Sequence, residues 1–220
     1  YRFFYRGFAI TLFLLFVVAF VMYLYISVLL NQGINDLQVS KQILRKAESR
    51  NNYLGILEGN TQLIFVFATK PANYTDVLAT MITPLSSLLV STKTNTQNLD
   101  AANNDIFVLA SSLNNNERSS LFVTDVPFYD SNSTVYINLT SFQATERLIE
   151  TTLKALGVSS ISLTDSLPYF QALLRNIPNG VLRKNFNISS EFIASLQNRK
   201  NDFSTWLSDY FFVSLAIIIL

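Results

Sequence analysis

The hydrophobic and polar positions divide this chain into blocks. From Gly7 to Leu30 there are 24 consecutive residues with no charge, no side-chain amide and no proline, rich in Phe, Leu, Val and Tyr. At about 1.5 Å of helical rise per residue the block reaches about 36 Å, enough to cross a hydrocarbon core of roughly 30 Å with some tilt. A second apolar run, Phe211 to Leu220, reads FFVSLAIIIL. It covers only about 15 Å, half a bilayer. The pattern therefore predicts an interior piece of a longer polypeptide that breaks off inside a second span.

Between the two runs the spacing is helical. Leu30, Leu37 and Leu44 lie seven apart, as do Ala47 and Leu54, then Leu57 and Ile64, with Lys41, Arg45, Glu48 and Arg50 between them. Seven-residue apolar spacing with intervening charges marks a helix packed lengthwise on others. One helix is expected from Asn35 to Thr69, continuous with the first span and ended by Lys70-Pro71. A second is expected from Thr75 to Leu113, kinked at Pro84 and weak through its Asn- and Thr-rich middle, Thr92 to Asn104. Residues 121–139 mix β-branched and aromatic types around Pro127, which suits a loop or a short hairpin of LFVTDV against TVYINL. A third helix starts at Thr140 or Ser141 and is interrupted at Gly157-Val-Ser-Ser. It resumes at Leu163 and closes at Pro178-Asn-Gly180. Ser189-Ser-Glu starts the last, which runs into the second apolar run.

These elements give an all-α chain: an elongated antiparallel four-helix bundle outside the membrane, flanked by two transmembrane helices. Residues 1–30 form a cytoplasmic flank and first span, 31–208 the bundle, and 209–220 the start of the second span. Arg2 and Arg6 precede the first apolar block and the next basic residue is Lys41, which places the N-terminal side in the cytoplasm. Tyr1, Phe3, Phe4 and Tyr5 supply an aromatic belt at one interface, and Trp206 and Tyr210 mark re-entry. The expected location is the plasma membrane of a eukaryote, with residues 31–208 extracellular.

Composition then removes whole classes of chemistry. With no His and no Cys, the usual zinc and iron sites, thiol nucleophiles, disulfides and Ser-His-Asp machinery are excluded. Setting aside Arg2 and Arg6, 14 basic residues face 15 acidic ones, which is no nucleic-acid surface. No cofactor and no enzymatic activity are expected. Four sequons, at Asn73, Asn132, Asn138 and Asn187, are glycosylation candidates. Their number is what 21 Asn and 40 Ser plus Thr in 220 residues produce by chance, so they follow from the topology rather than establish it.

Candidate chemistry is sparse. Arg45, Lys46 and Arg50 with Arg147 and Arg175 could line an inter-helix pocket for a carboxylate or phosphate, since guanidinium bonds such anions bidentately. The plainer reading, favoured here, is a set of solvated faces interspersed with Glu48, Glu146 and Glu150. Tyr169 and Phe170, with Phe186 and Phe192, could form an aromatic-lined cavity; core packing explains the same residues. Glu146 and Glu150, four apart on one helix, suit an acid–base pair or, more simply, a solvated acidic face. Neither apolar run holds a charge, so no ion pathway is read into them.

The order of span, helical extracytoplasmic region and span, with both outer helices continuous with the membrane, resembles the sensor halves of chemoreceptors and two-component receptor kinases. The Asn-rich helices and the segment Ile177-Pro-Asn-Gly-Val-Leu-Arg-Lys-Asn185 are similar to multi-span, PAS-containing sensor proteins of protists. The resemblance is topological and carries no ligand residue over. It implies a signalling output beyond Leu220, a kinase, cyclase or PAS-linked module. The expected function is a membrane receptor or sensor region, the alternative a structural or adhesive membrane glycoprotein or an accessory subunit. Expected partners are the lipid bilayer and a protein partner or second copy of the chain; the sequence names no small-molecule ligand.

Overall fold

The computed structural model describes residues 2–69, 85–113, 115–130, 135–157 and 163–219, and of these 92% are helical. The elements are α1 (Arg2–Thr69), α2 (Leu85–Leu109) with a 3-10 turn at Ala110–Ser112, and α3 (Asn115–Phe122). Strands β1 (Val126–Tyr129) and β2 (Tyr136–Leu139) follow, then α4 (Ser141–Gly157), α5 (Leu163–Asn176), a π-helical segment (Ile177–Leu182) and α6 (Arg183–Ile219). The chain divides into two compact units, one of residues 1–39 with 198–220, the other of residues 40–197.

In the first unit α1 carries the apolar block. Among the described residues it is the one helix long and apolar enough to cross a bilayer, and only 6% of its most apolar stretch is buried. Phe8, Phe13 and Phe16 are more than 60% exposed, an apolar surface that water does not tolerate over such a length. The second apolar run is helical from Phe211 to Ile219 as part of α6, but it does not make a second helix of that kind among the described residues. Near the other end of the block, Gly33 lies under the ring of Phe203, where a Cβ would sit 2.5 Å from the ring edge. Phe203, Trp206 and Tyr210 stack successively at about 6 Å between centroids.

The second unit is held by a seam of buried, mostly apolar positions spaced three or four apart. On α1 these are Ile43, Ala47, Arg50, Leu54, Leu57, Thr61 and Ile64, all buried. On α2 they include Leu88, Thr92, Thr96, Leu99, Asn103 and Ile106. Three side-chain pairs fix the register: Lys46 with Asp105, Arg50 with Asn103 and Asn60 with Ser91. Partners descend on α2 as they ascend on α1, so the two helices are antiparallel. Leu30, Leu37 and Leu44, expected on the packing stripe, are only half-buried.

The Thr-rich middle of α2, expected to be weak, is a regular helix. Thr92 and Thr96 donate their hydroxyls to the carbonyls four residues earlier, at 2.7 Å each. Thr61 on α1 and Thr145 and Thr152 on α4 do the same. The hydroxyl is thereby satisfied without a tertiary partner, and the methyl remains to pack.

Three expectations are corrected. Leu121 and Phe122 end helix α3 rather than start a strand, because Leu121 is a buried helical contact. Pairing begins later, antiparallel, from Val126 with Leu139 to Tyr129 with Tyr136. Pro178-Asn-Gly180 does not close a helix, and Ser189 does not open one. Helical backbone continues from Leu163 through the π segment to Ile219. Pro178 lacks an N–H and crowds the carbonyl four residues back; widening to π relieves both. Residues 75–84, including the Pro84 kink, and the sequons at Asn73 and Asn132 lie outside the described residues.

Candidate functional site

A buried polar layer crosses the second unit at the level of Arg50 and Asn51. Arg50 has no exposed surface and is the largest fully buried side chain. Its Nη1 donates to Asn103 Oδ1 at 3.2 Å. Its Nε and Nη2, and the Nδ2 of Asn103, have no hydrogen-bond partner among the described residues. Desolvation pulls the guanidinium down to about 9, still above neutrality, so the cation persists at physiological pH. A charge in this setting costs several kcal/mol unless it is compensated.

The neighbouring residue turns the other way. Asn51 Nδ2 donates to Ser189 Oγ at 2.7 Å and to the Asn185 carbonyl at 3.4 Å. Asn185 in turn accepts from Ser141 Oγ and donates to Thr145 Oγ1. This network knits α1, α4 and α6 together. Beside it opens a cleft of about 610 Å³ lined by Asn51, Ser189, Glu48, Asn52, Phe186 and Ile193 among others.

The local sequence explains the placement of α4. Thr140 Oγ1 accepts from the Gln143 N–H while Gln143 Oε1 accepts from the Thr140 N–H, a reciprocal N-terminal cap that sets Ser141 and Thr145 inward. At the far side of the unit, Asn176 fastens α5 to the hairpin. Its side-chain amide accepts from the Tyr129 N–H and donates to the Tyr129 carbonyl, both at 2.7 Å, as a neighbouring strand would. Gly180 lets the π segment approach β1: a Cβ there would stand 2.9 Å from the Pro127 carbonyl oxygen.

The arginines expected to line a pocket, and Tyr169 of the expected aromatic cavity, are not gathered. Arg45 and Arg147 are exposed. Arg175 lies 3.5 Å from the centroid of the Tyr129 ring, a cation–π contact, and Tyr169 is half-buried against the apolar core. Phe170 and Phe192 are buried, while Phe186 is 55% exposed, so the aromatic residues do not enclose a common cavity. Arg50 alone is in the interior. The signal was in the spacing: Ala47, Leu54, Leu57 and Ile64 define a seam that runs through position 50. Asn51 and Asn103 carry no motif, and Asn185 and Ser189 stand in the sequence as a segment end and a helix start rather than as members of a buried network. Glu146 is held above its usual pKa by burial, and then by Glu150 and by Asp100 of α2. No family model, curated protein or solved structure matches the chain.

Proposed function

We propose that the chain is the sensing region of a membrane receptor, with no catalytic role of its own. In this reading α1, α2, α4 and the α5–α6 rod form an antiparallel four-helix bundle outside the cytoplasm, and the two apolar runs anchor it. The observation that carries the proposal is that a single helix, α1, holds both an uncovered bilayer-length apolar block and the buried polar layer around Arg50 and Asn51. Apolar seams are tolerant and permanent; a polar layer with unsatisfied groups has alternative arrangements of similar energy. Small helix displacements between such arrangements are the usual output of membrane-rooted sensors.

The absence of cysteine gives a clean background for the test. Cysteines replacing Gly33 and Phe203 are introduced together, and their disulfide formation is followed in membranes, with and without Arg50→Met. A receptor predicts at least a threefold change in cross-linking rate when the polar layer is altered. An unchanged rate favours the structural or adhesive glycoprotein, or accessory subunit, for which the bundle only presents a surface.

A further inference from the structure

We infer that the Nε–Nη2 edge of Arg50, with the side-chain amide of Asn103, is a binding site for a small oxyanion of the carboxylate or phosphate class. Nη1 is already engaged by Asn103 Oδ1. The two groups left over, Nε and Nη2, lie on one edge of the guanidinium, whose parallel N–H bonds match a pair of coplanar oxygens. Asn103 Nδ2, on the amide that holds Nη1, is a further buried donor with no partner among the described residues. All three are donors, so the complementary partner is an acceptor, and the fully buried cation beside them calls for negative charge. A halide supplies charge but offers one acceptor between the two N–H groups, where an oxyanion offers a separate oxygen to each. Because Arg50 has no exposed surface, the anion enters as the seam opens or is captured on folding, and its binding reads out as stability.

This inference stands apart from the sensor reading, since an anion can serve a static core as well as a moving one. The test uses the full chain in detergent micelles at pH 7. Thermal unfolding is recorded in sodium chloride, sodium formate and sodium phosphate at equal ionic strength, and formate and phosphate titrations are followed by calorimetry. At a hundredfold excess over Kd, formate or phosphate is expected to raise Tm by on the order of 5–10 °C over chloride. Whichever of the two acts alone identifies the source as carboxylate or phosphate. Arg50→Met keeps the side-chain length, loses the shift and gives no binding heat; Asn103→Leu weakens binding at least tenfold. Should Arg50→Met not fold, Asn103→Leu carries the comparison. The inference is overturned by equal Tm in all three salts, by a shift that both variants keep (a general salting effect), or by no binding heat with wild type, which leaves water to satisfy the fork.

Discussion

Arg50 shows how little a residue's type says about its surroundings. Arg45, five positions earlier, is exposed as arginines usually are, yet Arg50 sits where the four-three spacing of α1 demands a core side chain. Asn176 makes the same point with a neutral group. An amide in a helix near a proline suggests a helix end, but here it closes two hydrogen bonds with Tyr129 and a third, at 2.9 Å, with the Ala172 carbonyl. Asn176→Ala leaves the Tyr129 N–H and carbonyl unpaired in a partly buried place, a cost of about 1–3 kcal/mol. Denaturant unfolding should show that loss, with Asn176→Asp failing to restore it because a carboxylate has no donor. Wild-type stability in Asn176→Ala would mean the strand edge is satisfied by solvent.

At the scale of elements, α4 is the best specified. Its start at Thr140 or Ser141 and the inward Leu148 and Ile149 are legible in the sequence, whereas the buried Ser141, Thr145, Thr152 and Ala155 are not, and Leu153, apolar by pattern, is exposed. Its outer face is not relaxed. Burial raises the pKa of Glu146 first, and the charges of Glu150 one turn on and of Asp100 on α2 add to it. The folded pKa therefore lies above the unfolded one. Below the ordinary range both states are protonated and Glu146 costs nothing; above its raised value the folded state holds a charge against its surroundings. Stability on this account is lost as pH rises through the folded pKa and regained on acidification. Glu146→Gln should raise stability at pH 7 by about 0.2–0.5 kcal/mol, the worth of a like-charge pair one turn apart, and change nothing near pH 4. A gain of equal size at both pH values would assign the effect to packing.

For the molecule as a whole, the orientation expected from Arg2 and Arg6 would put the second unit on the side of a membrane where N-glycans are added. Asn138 on β2 and Asn187 on α6 are both exposed, so the folded chain leaves room for a glycan at either. If the unit faces the lumen during synthesis, Asn138 should carry sugar when the chain is made with eukaryotic microsomes, seen as a mass lost on deglycosylation. Asn138→Gln should abolish that contribution. A membrane-inserted chain with bare Asn138 and Asn187, protected from no added protease, would reverse the orientation drawn from Arg2 and Arg6.

The sequence by itself determined what depends on neighbours along the chain. The helicity of the apolar block of α1 follows from 24 residues without charge, amide or proline, and the start of α4 from the cap expected at Thr140 or Ser141. The exclusion of thiol and imidazole chemistry follows from composition alone. Tertiary structure decided what depends on residues far apart. The pairing of β1 with β2 starts only after α3 has taken Leu121 into the core, and helix persists through Pro178 because the π segment rests on the backbone of β1 through Gly180. The charge of Arg50 became a feature only once Asn103, 53 residues away, met it in the interior. Local spacing fixes which face a residue occupies; only the opposing helix decides whether that face is wet, and so whether a charge on it is ordinary or costly.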